Sequence, residues 1–86
     1  MGSMAMEWIE TDGKLRRTYA FRTFRKAMAF MLEVAFEAEK MNHHPEWSNS
    51  YGRVDVALVT HDAREITDLD HLLAARMDEI AATHLV

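Results

Sequence analysis

"EWSNSYGRVDVALVTH", residues 46–61, decides how this chain folds. Beyond Gly52, Val54, Val56, Leu58 and Thr60 point one way from an extended chain, while Asp55, Ala57, Val59 and His61 point the other. That two-residue period predicts a strand with one covered face. Gly52 stands at or near the turn joining this arm to the one that begins at Glu46, so the stretch reads as a hairpin. With the turn near Gly52, residues equidistant from it pair roughly as 44 with 60 and 43 with 61. The two ends of the hairpin then return to one place.

Just upstream, Pro45, the single proline, stops a helix and pushes His44 into an extended conformation. The helix reads back through "RTFRKAMAFMLEVAFEAEKMN", rich in Ala, Met, Leu, Glu and Lys, with Thr23 as its N-cap. Arg22, Lys26, Glu33, Glu37 and Lys40 form a polar stripe. Apolar residues fill two further lines: Phe24, Met28, Met31 and Ala35, and Phe30, Val34 and Met41. Such a face is wider than one sheet contact requires, and in a short chain it predicts contact with a second subunit.

Further upstream, "MEWIETDGKLRRTYAF" repeats the hairpin pattern around an Asp-Gly turn, with Leu15, Arg17, Tyr19 and Phe21 sharing a face. Trp8 in its first arm is expected as a core or cross-strand anchor. Downstream, "ITDLDHLLAARMDEIAATHL" predicts a final helix capped by Thr67, with Asp70 bonding back to complete a capping box. Leu69, Leu72, Leu73, Met77, Ile80 and Ala81 form its expected apolar face. The order strand–strand–helix–strand–strand–helix predicts an α+β fold, a four-stranded antiparallel sheet with both helices on one face. Residues 6–86 read as a single domain, and "MGSM" within residues 1–5 reads as a cloning remnant.

Eighty-six residues with 49% hydrophobic content fit one folded domain with a thin core. A net charge of −4 argues against a nucleic-acid binder held by phosphate contacts, and the basic cluster from Lys14 to Lys26 reads as a solvated face. No apolar run approaches the roughly 20 residues that span a bilayer, so a soluble cytoplasmic domain is expected. The absence of cysteine excludes disulfides and thiolate metal sites. The glycines, Gly2, Gly13 and Gly52, are too scattered for a phosphate-binding loop. Ser48 and Ser50 have no nucleophile elbow around them.

What remains is imidazole. Of five histidines, His43, His44 and His61 gather at the ends of the second hairpin. Three readings fit. Histidines after a helix can interact with its free carbonyls and dipole. Three of them can hold zinc, though no His-Glu-x-x-His pattern is present. An imidazole can also hold and release a proton at neutral pH, which suits acid–base work on a small organic substrate.

"AEKMNHHPEWSNSYGRVDVALVTHD", continuing to Asp70, resembles the signature of the pterin-4a-carbinolamine dehydratases. That pattern has an acidic residue, His-His-Pro, two spaced aromatics, a distant histidine and a final aspartate. Glu39, His43, His44, Pro45, Trp47, Tyr51, His61 and Asp70 fall at fitting positions. The resemblance implies a hydro-lyase that removes water from 4a-hydroxytetrahydropterin, giving quinonoid dihydropterin for recycling in aromatic amino acid hydroxylation. It implies no metal and no cofactor. His43 and His61 would be general acids on the departing hydroxyl. His44 and Glu39 would hold the pterin, Pro45 and Trp47 would shape the wall, and Asp70 would join the binding site.

The resemblance further implies a homodimer or dimer of dimers, while the net charge and the short apolar runs predict no nucleic-acid or membrane partner. Animal members also stabilise dimers of a homeodomain transcription factor through a helical surface, and a role in molybdenum-cofactor metabolism is a further family alternative. Two site positions depart from the pattern. Asn42 stands where aspartate is frequent, and Leu69 stands where animal members commonly carry arginine.

Overall fold

The computed structural model describes residues 7–85; the expected remnant at 1–5 lies outside them. In chain order the elements are β1 (Ile9–Thr11), β2 (Lys14–Ala20), α1 (Phe24–Met41), β3 (Glu46–Ser50), β4 (Arg53–Leu58) and α2 (Asp68–His84). The strands form one antiparallel sheet in the order β1-β2-β4-β3, so the second strand of each hairpin lies at the centre. This is the α+β architecture expected from the pattern of hairpin and helix.

The first turn is a two-residue loop in which Asp12 and Gly13 both take positive φ, 54° and 75°, matching the right-handed twist of the flanking strands. In the second hairpin Ser50 pairs with Arg53 and Glu46 with Ala57. Tyr51 and Gly52 together therefore make the turn, and the register is displaced by one residue from a turn centred on Gly52. Gly52 is required by space: a Cβ there would lie 2.3 Å from the Phe21 carbonyl oxygen. The same close approach lets the Phe21 N–H donate to the Gly52 carbonyl at 2.7 Å, tying the two hairpins together.

The inner face of the sheet carries Leu15, Tyr19, Phe21, Val54, Val56 and Leu58, which join Phe30 and Val34 of α1 and Leu73, Met77 and Ile80 of α2 in one buried cluster. Tyr19 and Phe30 meet with ring centroids 4.7 Å apart, Phe21 and Phe30 at 4.9 Å. Burial of each large apolar side chain contributes about 1.5–3 kcal/mol. Trp8 packs edge-on to Tyr19 at 6.2 Å, the cross-strand anchor its position suggested.

Both helices begin as their sequences predict. The Thr23 hydroxyl accepts from the Lys26 N–H, and Thr67 with Asp70 makes a complete capping box. Of the two apolar lines on α1, the one through Phe30 and Val34 faces the core, together with Ala27 and Ala38. Phe24, Leu32 and Phe36 are instead exposed, Leu32 at 61% and Phe36 at 65%. On α2, Leu69 and Leu72 were expected on the apolar face but are also exposed. The sheet meets α2 along Leu73, Met77 and Ile80, and Ala74 takes a place in that buried face. No helix among the described residues is long and apolar enough to cross a membrane.

Candidate active site

The end of α1 explains why two histidines follow it. Asn42 takes the left-handed conformation, φ 52°, which asparagine tolerates better than most side chains. Its N–H bonds to Glu39, and the His43 N–H reaches back to the Ala38 carbonyl at 3.0 Å. This is the double closure of a Schellman motif. Backbone amides therefore satisfy these helix carbonyls, and the imidazoles are left for other partners. The sharp reversal also drives His43 inward, where it is buried, while His44 stays exposed.

Each imidazole meets a carboxylate. His43 Nε2 lies 2.6 Å from Asp70 Oδ1, His44 Nε2 lies 2.9 Å from Glu39 Oε2, and His61 Nε2 lies 3.3 Å from Glu46 Oε2. His43, His44 and His61 line one cleft of about 350 Å³ together with Asn42, Pro45, Glu46, Thr60, Asp62 and Leu69. A volume of this order falls in the range of small-molecule sites. The two positions that depart from the dehydratase signature, Asn42 and Leu69, thus both line it. Among the described residues, no group of three or more His, Asp or Glu is arranged to hold a metal ion.

Asp70 lies behind His43, wholly buried. Burial alone would push its carboxyl up. The Thr67 N–H, His43 and the Thr60 hydroxyl outweigh that and hold it below the usual carboxylate range. The Thr67 N–H donates to Asp70 Oδ2 at 2.9 Å and the Thr60 hydroxyl donates to the same oxygen at 2.8 Å. Cap and site are therefore one structure, with Oδ2 serving the helix and Oδ1 serving the imidazole. Glu46 is held low chiefly by its hydrogen bond from Lys14, at 2.6 Å, against the effect of burial, with His61 adding a smaller attraction.

Of the residues expected at the site, His43, His44, His61 and Pro45 share the cleft. Glu39 and Asp70 act on it through His44 and His43. Trp47 does not join them. It pairs with buried Val56 and packs against the core, so the wall expected from it is supplied elsewhere. Tyr51 is an exposed turn residue. Sequence reasoning passed over Glu46, Thr60 and Asp62. Their only signal was adjacency to Pro45 and His61, which is too weak to single them out.

Comparison with known proteins bears on the family and the fold. The family model described as pterin 4 alpha carbinolamine dehydratase matches residues 3–80. A relative from Rhizobium meliloti (strain 1021) is 53% identical over 76 residues, covering 86% of this chain and 73% of its own. One from Bradyrhizobium sp. (strain ORS 278) is 53% identical over 77 residues, covering 87% and 77%. Both bear the name pterin-4-alpha-carbinolamine dehydratase as a provisional assignment. A crystal structure from Brucella melitensis, described as a transcriptional coactivator/pterin dehydratase, superposes with a TM-score of 0.83 at 45% identity, covering 86% of this chain and 81% of that one. A pterin dehydratase-like protein identified as a RuBisCO assembly factor in the alpha-carboxysome shares the fold, with a TM-score of 0.75 at 22% identity over 87% and 89% of the two chains. This chain belongs to the pterin-4-alpha-carbinolamine dehydratase family.

Proposed function

We propose that this protein is a hydro-lyase that dehydrates 4a-hydroxytetrahydropterins to quinonoid dihydropterins, in support of tetrahydropterin recycling for aromatic amino acid hydroxylation. The observation that carries this reading is the meeting of the adjacent His43 and His44 with the chain-distant His61 on one small cleft, each imidazole beside a carboxylate.

In the reaction the C4a–O bond breaks and the hydroxyl leaves with the bonding pair. A proton from an imidazolium makes the leaving group water. The N5 lone pair closes the C4a=N5 bond, and the N5 proton passes to a neutral imidazole or to solvent. His43 and His61 act as the acids, one positioned general acid being worth on the order of 10²- to 10⁴-fold in rate. Acids on separate segments suit a flat ring whose hydroxyl can leave from either face. His44, steadied by Glu39, holds the pterin edge, and Pro45 forms part of the wall. Asp70 serves the site through His43, and Trp47 through the strand that carries it.

Purified protein should accelerate dehydration of a synthetic 4a-hydroxypterin, and the double variant His43→Ala/His61→Ala should lose that acceleration while keeping its circular dichroism spectrum. Wild-type rates equal to buffer would defeat the proposal.

The exposed residues Phe24, Leu32 and Phe36 on α1 support self-association as a homodimer or dimer of dimers, since soluble monomers seldom expose a continuous apolar face. Light scattering should give a multiple of the 10.0 kDa chain mass, falling to that mass in Leu32→Glu/Phe36→Glu. A wild-type monomer would instead favour a different protein partner on this face.

A further inference from the structure

The hydrogen bonds behind His43 have only one consistent direction. An ionised carboxylate is acceptor-only, so Asp70 must receive a proton from each of its partners. Its Oδ1 lies 2.6 Å from His43 Nε2, which therefore carries hydrogen. Its Oδ2 lies 2.8 Å from the Thr60 hydroxyl, whose single hydrogen points there. Thr60 Oγ1 also lies 2.6 Å from Thr67 Oγ1. With its own hydrogen engaged, Thr60 can only accept, so the Thr67 hydroxyl donates to it. The Thr67 oxygen in turn accepts the Leu69 N–H at 3.3 Å. The bonds thus converge on Asp70, from the first turn of α2 through Thr67 and Thr60 on one side and from His43 on the other.

We propose that Thr60 is a positioning residue: with Thr67 it aims the Asp70 carboxylate so that neutral His43 is held as the Nε2–H tautomer, leaving Nδ1 as the nitrogen that meets the substrate. This rests on the dehydratase reading for its consequence, though not for its geometry. His43 Nδ1 has no hydrogen bond to any described residue, and His43 lines the cleft. Nδ1 is thus the nitrogen free to give and regain a proton.

Thr60 is well placed for such a task because its backbone is fixed on both sides. Its N–H donates to the Glu65 carbonyl at 3.1 Å, and its carbonyl accepts from the Arg64 N–H at 2.7 Å. The next residue is His61, so one closed loop sets both the hydroxyl behind His43 and the second imidazole of the cleft. Without the Thr60 hydroxyl, Oδ2 keeps only the Thr67 N–H, and the carboxylate can turn about its Cβ–Cγ bond. The plane that selects Nε2 is then no longer enforced.

Imidazole ¹⁵N–¹H correlation spectra of the free protein, recorded where His43 is neutral, read the tautomer without substrate. Wild type should show a protonated Nε2 and a bare Nδ1. Thr60→Val, nearly isosteric, should show mixed tautomers, with kcat reduced about tenfold and KM changed less than about twofold. That split is expected when a reacting group is misaimed while substrate binding is kept. Thr60→Ser should restore both readouts. Should the valine variant fail to fold, Thr60→Cys, with its weaker donor, should show the same split in smaller measure. A wild-type proton on Nδ1 overturns the proposal, as does a valine or cysteine variant with an unmixed Nε2–H tautomer and wild-type kcat. A wild type with no dehydratase activity would remove the functional reading alone, because the tautomer still decides the positioning role.

Discussion

Asp70 and Asp78 lie on the same helix, and each gathers three hydrogen-bond donors. Asp70 accepts from His43, the Thr60 hydroxyl and the Thr67 N–H. Asp78 accepts from the Trp8 indole, the Tyr19 hydroxyl at 2.5 Å and the Arg17 guanidinium. The two hubs differ in what their donors can do. Tyr19 is pushed up by burial, with the hydrogen bond to Asp78 and its charge adding to the effect and Arg17 opposing it, so the phenol keeps its proton throughout the neutral range. Neither an indole nor a guanidinium gives up its proton there either. Asp78 therefore acts as a fixed tie between β2, Trp8 and α2. Among the donors of Asp70 is an imidazole, the one side chain that ordinarily titrates near neutrality. The same kind of carboxylate on the same helix is a rivet in one place and, under the proposed function, part of a proton-handling site in the other.

The largest expected effect falls on the buried hub. Asp70→Ala takes a wholly buried carboxylate away from the Thr67 N–H, the Thr60 hydroxyl and His43 at once, and should cost about 3–5 kcal/mol in urea unfolding. Dehydratase activity should fall with it even at temperatures where the variant is folded. A loss under about 1 kcal/mol would mean that water or a neighbour replaces the carboxylate, and the contrast between hubs would fail.

Asp78→Ala comes next. Its carboxylate is 39% exposed, so water can serve the abandoned donors, and the expected loss is about 1–3 kcal/mol. Arg17 accounts for part of it: its side chain is only 8% exposed, and its Nε already has no hydrogen-bond partner among the described residues. Activity per folded molecule should remain within about twofold of wild type, because the hub touches no residue of the cleft. A tenfold fall in kcat with the fold intact would show that the fixed tie also governs the site.

How far these hubs could be read in advance depends on the distance over which each is assembled. Thr67 and Asp70 are three residues apart, and a capping box is a local pattern, so the helix start was legible. The same aspartate also appeared in the dehydratase signature, which left cap and site as competing roles. The structure shows that two oxygens allow both. The Asp78 hub was illegible, because Trp8, Arg17 and Tyr19 reach it only through packing of a hairpin on a helix some sixty to seventy residues away. Trp47 shows a third limit. Strand parity has a period of two, so moving the turn from Gly52 to Tyr51–Gly52 exchanges the faces of β3 relative to β4. The wall role came with the dehydratase signature and not from parity, and the observed register sets the indole opposite Val56 on the core side of the sheet. The convergence of the histidines survived the same slip, because both hairpin ends still return to one place.

The smallest effect is one of pH, and it tests whether burial truly separates the two hubs. The folded Asp70 carboxyl is held below its ordinary value of 3.8, so folding favours its ionised form. A depressed folded value contributes stability that is fully present above the unfolded value and is lost as pH falls through the folded one. The window therefore lies below about pH 4. Glu37, Glu46 and Asp55 are also held low, by hydrogen bonds from Arg76, Lys14 and Thr18 respectively, and they share this acid limb. Their partly exposed positions let solvent screen much of the effect. Asp70→Asn removes the one wholly buried side-chain carboxyl among the described residues while keeping its size. The urea midpoint of the variant should start lower than wild type at pH 7, and the gap should narrow steadily as the two are compared from pH 5 toward pH 2. Parallel curves over that range would mean that Asp70 gains nothing from folding as an anion, and the directed hydrogen bonds to it would lose their basis.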